Sequence, residues 1–218
     1  MKLVFFCFIL TLLIFDNSSA QNAQSRKAQM EQKRQIIKNG LMNFYNFSST
    51  DVIADIGSGN GGNIILIASF YPTVKFTIED IDKETCNAQN FKKEIDKTGN
   101  KVNVENFKFF YGTEKSTMLP AKTYSKVLIN DLIHELTYST EMIADLKRIL
   151  KNDGRLLVSE IVVLKKATKE KGCNYPYMTE LELKNILVNN NFKVVDEKKF
   201  MQISDNKYIL LLTCKPLQ

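Results

Sequence analysis

Val52-Ile-Ala-Asp-Ile-Gly-Ser-Gly-Asn-Gly-Gly-Asn63 carries an apolar segment into four glycines, and the apolar run Ile64 to Phe70 follows directly. A strand that stops in a glycine turn and restarts as a helix brings main-chain N–H groups and the positive helix end to one point, where no Cβ blocks close approach. Such a turn suits a nucleotide-type cofactor. The spacing Gly57-x-Gly59-x-x-Gly62 alone also suits dinucleotides and turns with no ligand. Asp55, two residues before the first glycine, together with Gly61 sharpens it to Asp-x-Gly-x-Gly-x-Gly. A second strand, Val74 to Ile78, ends in Glu79-Asp80-Ile81-Asp82. Ligands of open parallel sheets sit beyond the carboxyl ends of the strands, so a carboxylate there faces the same crevice.

The rest of the chain alternates helix and strand. Gln21 to Lys38 is polar and rich in helix formers, with Asn39-Gly40 as its expected stop. Leu41 to Phe47 follows as a short apolar segment, whose Phe44, Tyr45 and Phe47 suit packing against the sheet. Tyr71-Pro72 breaks the helix after the glycine turn and completes a βαβ unit. Asp82 to Lys97 reads as a helix with Ala88, Phe91 and Ile95 on its buried face, stopped by Gly99-Asn100. Asn106 to Tyr111, Tyr124 to Asn130 and Arg155 to Val163 are the third, fourth and fifth strands. Between the last two lies an amphipathic helix, Thr140 to Leu150, with Lys151 to Gly154 as its stop. Its inward face is Met142, Ile143, Leu146, Ile149 and Leu150. Lys165 to Gly172 is a lysine-rich loop. Thr179, with Glu182 three residues on, starts the last helix. Lys193 to Phe200 and Tyr208 to Cys214 form a closing strand pair. The alternation predicts an α/β fold.

With 218 residues, 44% hydrophobic and 25% charged, the chain has the make-up of one globular domain with a sizeable core. The net charge of +6 comes from lysines spread along the chain, which points to a solvated surface rather than to nucleic acid. Met1 to Phe15 holds one positive charge and an apolar run, followed by Asp-Asn-Ser-Ser-Ala20 and Gln21. The run is short for a membrane span, and Ser18-x-Ala20 offers the small residues a signal peptidase needs. This predicts a secretory leader over residues 1–20, a helical segment over the site from 21 to 50, and the main domain from 51 to 218. A cleaved leader implies the secretory pathway or a place outside the cytoplasm; an uncleaved one implies a membrane anchor and the only membrane contact. After Cys7 in the leader, Cys86, Cys173 and Cys214 are widely spaced and accompany a single histidine. Neither a disulfide framework nor a metal site is expected.

Asp55-x-Gly57-x-Gly59-x-Gly61 resembles motif I of class I S-adenosylmethionine-dependent methyltransferases, and the likeness runs from about Val52 to Lys215. It implies a doubly wound, seven-stranded, mostly parallel sheet with an antiparallel C-terminal strand, in three αβα layers. The implied cofactor is S-adenosyl-L-methionine. Asp55, Gly57, Ser58, Gly59 and Gly61 would cradle it, and Asp80 with Ile81 would meet the ribose, Glu79 being the rival acid. Thr113 and Glu114 fall where the family reads the adenine, and Asn130 with Asp131 falls on the methyl-donor side. The family's usual acids are absent at Thr113 and Ser125. His134, the one imidazole, is either a general base or a residue that packs and hydrogen-bonds behind the site.

The implied acceptor is a small molecule rather than a protein, held between the N-terminal segment, Asn130 to His134 and the loop after strand five. No Asn-Pro-Pro-Tyr motif stands at strand four and no aromatic-basic repeat suggests strand binding, so no nucleic acid is expected. Two other functions compete. One is a secreted ligand-binding protein without turnover on the same scaffold, favoured by the leader, Thr113 and Ser125. The other is a nicotinamide-dependent oxidoreductase, opposed by Asp55 and the closing strand pair.

Overall fold

The computed structural model describes residues 20–166 and 175–217. The expected leader through residue 19, Cys173 and most of the lysine-rich loop lie outside them. The chain divides into two units, residues 1–47 and 48–218. The described part of the first is helix α1, Ala20–Tyr45, which runs through the expected stop at Asn39-Gly40. An interior glycine costs a helix only about 1 kcal/mol, which its neighbours absorb. The helix ends instead at Asn46, whose φ is +40 and whose N–H donates to Met42 O at 2.9 Å. Tyr45 packs its ring against Phe44 and Phe47, with centroids 4.9 and 5.5 Å apart. Among the described residues no helix is long and apolar enough to cross a membrane.

The second unit alternates β1 (Ile53–Ile56), α2 (Gly62–Ser69), β2 (Phe76–Asp80), α3 (Ala88–Thr98), β3 (Phe107–Tyr111), β4 (Tyr124–Asn130), α4 (Ser139–Ile149) and β5 (Leu150–Val163). It closes with β6 (Met178–Thr179), α5 (Glu180–Asn189), β7 (Phe192–Ser204) and β8 (Lys207–Pro216). The sheet order is β3-β2-β1-β4-β5-β8-β7, with the two-residue β6 added beside β5. Strands β1 to β5 pair in parallel, and β8 runs antiparallel to both β5 and β7. The seven expected strands thus make the continuous path.

Strand alternation sorts the core into two faces. Ala54, Ile56, Val127, Ile129, Leu156 and Val158 join Ile143, Leu146 and Ile149 of α4 and Leu183 and Leu187 of α5 in one cluster. Ile53 and Leu128 have the opposite parity and lie on the face where α2 and α3 bury Ile64, Ile65, Phe91 and Ile95. Phe91 meets the Phe107 and Phe109 rings of β3 at 5.3 and 4.8 Å. Each such side chain contributes roughly 1.5–3 kcal/mol by leaving water.

Several boundaries differ from expectation. Helix α3 starts at Ala88, which is exposed, and not at Asp82. Asp82 Oδ1 accepts from Glu84 N and Thr85 N at 3.0 and 3.2 Å and holds a turn; Asn87 then caps the helix by accepting from Asn90 N at 3.0 Å. Strand β5 starts at Leu150, directly after α4, so Lys151 to Gly154 is extended chain. Thr179 and Glu182 form the expected capping box of α5. The crossover from β3 to β4 passes β2 and β1 without a helix. It is pinned by Asp145 of α4, which accepts from Thr117 N at 2.9 Å, Thr117 Oγ1 at 2.6 Å and Ser116 Oγ at 3.1 Å.

Candidate active site

The strand order reverses at β1 and β4, the place where open α/β sheets bind ligands beyond the carboxyl ends of their strands. There β1 feeds the glycine turn. Gly57 has φ +68 and Gly61 +83, values that side chains rarely adopt. Space also requires glycine: a Cβ on Gly57 would lie 2.6 Å from Leu132 Cδ2, and one on Gly61 2.5 Å from Phe91 Cζ. The turn is closed by its own amides. Gly57 N and Ser58 N donate to Glu79 O at 2.9 and 3.2 Å, and Gly61 N to Ser58 O at 3.0 Å. Gly59 N donates to Asp80 Oδ2 at 2.7 Å. These amides, expected to meet a ligand, instead hold the turn, because a buried N–H needs a partner. Leu132 and Phe91 fill the space a side chain would take at Gly57 and Gly61, and two carboxyl groups flank the turn.

Those groups, Asp55 and Asp80, are only 2% and 4% exposed. Ser58 donates its hydroxyl to Asp55 Oδ2 at 2.5 Å and Asn130 donates Nδ2–H to Asp55 Oδ1 at 2.9 Å. Burial above all, with Asp80 nearby, pushes the Asp55 carboxyl up to about 7 against those two bonds. Asp80 also accepts from Asp82 N at 2.9 Å, and each of its oxygens keeps a lone pair for a hydroxyl donor. Register separates Asp80 from its rival. Glu79 pairs with Ile56, and Asp55 with Ile78. Asp80 therefore shares the face of Asp55, while Glu79 points to the other face, under the crossover. There Glu79 Oε1 lies 2.1 Å from where a Cβ on Gly112 would sit and, among the described residues, has no hydrogen-bond partner. Burial, then the charge of Asp80, pushes this carboxyl up to about 8.

The remaining expected contacts divide. Ile81 is 56% exposed beside Asp80, and Tyr111, paired in register with Asp80, is exposed too. Thr113 Oγ1 accepts from Lys115 N and Ser116 N at 3.3 and 3.1 Å, so its hydroxyl shapes its own turn; Glu114 is exposed. Ser125 stands at the far end of β4 from the crevice, where its hydroxyl donates to Asp51 Oδ1 at 2.8 Å and accepts from Val52 N at 3.0 Å. That departure from the methyltransferase pattern leaves the crevice untouched.

Leu132, which covers Gly57, leads into one 3-10 turn, Ile133–Glu135. His134 in that turn is buried, and its Nδ1 is hydrogen-bonded with Glu160 Oε1 of β5. Glu160 Oε2 accepts from Leu132 N at 3.2 Å and Ile133 N at 3.1 Å. A carboxylate on Nδ1 makes that nitrogen the donor and Nε2 the basic one, a tautomer assigned from the partner. Asp131 Oδ1 lies 3.9 Å from Nδ1, and Glu135 Oε1 4.0 Å from Nε2. Burial, then Glu160, pushes the Asp131 carboxyl up to about 7, with His134 pulling the other way. Sequence reasoning missed Glu160. Its signal was a lone carboxylate within the apolar run Leu156 to Val163.

Solved structures share this fold. Geranyl diphosphate C-methyltransferase from Streptomyces coelicolor A3(2), solved with Mg2+, geranyl diphosphate and S-adenosyl-L-homocysteine, superposes with TM-score 0.67 at 10% identity, over 94% of this chain and 88% of that one. The [4+2]-cyclase SpnF gives 0.64 at 14% identity, over 84% and 81%. A SAM-dependent methyltransferase from Aquifex aeolicus gives 0.59 at 17%, over 83% and 92%. No curated protein matches the sequence. The profile of the O-methyltransferase domain matches residues 8–207, and the chain belongs to that family.

Proposed function

We propose that the protein is an S-adenosyl-L-methionine-dependent O-methyltransferase acting on a small hydroxylated acceptor, with His134 as general base. The observation that carries this reading is the His134–Glu160 pair, two residues beyond the leucine that roofs Gly57. The crevice fits a cationic adenosyl cofactor. Its two carboxyl groups are buried, and among the described residues their hydrogen bonds come from a hydroxyl, an amide and main-chain N–H groups. Asp80 would hold ribose hydroxyls, and Asp55 would face the positive end. Bound there, the cofactor supplies an electrophilic methyl group on a charged sulfur, so that the leaving group is neutral.

The residues then have little chemistry to add beyond alignment, exclusion of water and one proton transfer. His134 Nε2 would take the proton of the acceptor's hydroxyl group. Glu160, bonded to Nδ1, holds the ring and stabilises the imidazolium. The test is methyl transfer to a panel of phenols and alcohols, with cofactor binding measured alongside. His134→Asn is expected to lower turnover by about 10²–10⁴-fold while cofactor binding persists. Retained turnover in that variant would end the base role.

A further inference from the structure

We propose that Asp131 is a positioning residue for His134: its carboxyl group, on the Nδ1 edge beside Glu160, strengthens the imidazole as a proton acceptor. The inference rests on His134 being the base. Asp131 is fixed from both sides of Glu160. Its N–H donates to Ser159 O at 2.7 Å, and its Oδ1 accepts from Ile161 N at 3.4 Å. Its φ of +55 is a left-handed value that aspartate tolerates better than most side chains.

The three donor and acceptor atoms of Asp131, His134 and Glu160 lie within 4.8 Å of one another. Side-chain exposure rises from 0% at Glu160 and 1% at His134 to 18% at Asp131, so Asp131 is the member that meets water. Other groups near the ring are Glu135, 4.0 Å from Nε2, and Tyr177, whose ring centroid is 5.0 Å away. Lys207 Nζ lies 5.0 Å from the centroid of the Tyr177 ring. Among the described residues, an imidazolium at His134 therefore faces the carboxyl groups of Asp131, Glu135 and Glu160. With the ring neutral, Asp131 and Glu160 repel one another, and Asp131 is driven to hold a proton. With the ring charged, both carboxylates are compensated, so charge on the ring and charge on Asp131 rise together.

The chain has one histidine, so the ring signals of tag-free, 15N-histidine-labelled protein belong to His134. NMR titrations of wild type, Asp131→Asn and Asp131→Glu test the role. Asp131→Asn is expected to weaken the proton affinity of the ring about tenfold, and Asp131→Glu to restore most of it. The Nδ1–H tautomer should persist in all three, because Glu160 remains. Equal midpoints in wild type and Asp131→Asn would overturn the proposal. Should that variant not fold, wild type decides alone: two inflections support the coupling, and one contradicts it. The titration needs no cofactor, so a chain that binds no S-adenosyl-L-methionine would overturn the methyltransferase reading, whereas an unchanged midpoint would overturn the role of Asp131.

Discussion

A carboxyl group buried with one oxygen unpartnered is costly, and Glu79 carries that cost beneath the crossover. Its raised value sets the sign of a pH effect. Below about pH 4.5 native and unfolded chains both hold the proton; between there and about 8 only the native chain does, so stability falls as pH rises through this window. Asp55 and Asp131 act in the same sense. Glu79→Gln removes one of the three contributions, and denaturant melts should show it more stable than wild type at pH 9 by on the order of 2 kcal/mol, with a smaller gap at pH 5. Gly61→Ala should cost about 2–3 kcal/mol in the same melts, since its Cβ would strike the Phe91 ring at an unfavourable φ. Asp55, the glycines and Asp80 were legible because a turn and a strand end are local patterns. Glu160 was not, because only the pairing of β4 with β5 brings it to a histidine 26 residues away. Asp80 was preferred to Glu79 by resemblance alone, and the register with β1 adds that it shares the face of Asp55.

The helix-free crossover is held by two side chains of α4, Asp145 and Arg148, the latter donating Nη2–H to Leu119 O at 2.8 Å. Asp145 accepts from Ser116, from Thr117 twice, and from Arg148 Nε at 2.8 Å. Burial works to raise this carboxyl, and the Arg148 and Thr117 bonds outweigh it and hold it low. Asp145→Ala should lower stability by about 2–4 kcal/mol and speed amide exchange at Thr117 and Leu119, as hydrogen-exchange mass spectrometry would read. Element types were legible from periodicity, and ends were less so. Gly40 looked like a stop because glycine is a weak helix former, yet the helix continued to Tyr45. Asp82 looked like a helix start, but its side chain closes a turn that Asn87 then supersedes as cap. Such contests between neighbouring caps are decided by packing, here of Phe91 against β3.

Across the whole molecule, the alternation of helix and strand was enough for an α/β fold, whereas the strand order needed the pairing of the strands themselves. The reaction does not follow from the fold, since a cyclase and methyltransferases share it. The proposal of methyl transfer to a hydroxyl rests instead on the glycine turn, Asp80 and the His134 group. We further propose that residues 1–20 are a secretory leader, for which intact mass of the exported protein should give a chain beginning at Gln21. The most direct measurement of the central claim is calorimetric titration of S-adenosyl-L-homocysteine into wild type and Asp80→Ala. One saturable site per chain is expected in wild type, weakened at least about tenfold in Asp80→Ala. No binding at millimolar ligand, or equal binding by the two proteins, would contradict it.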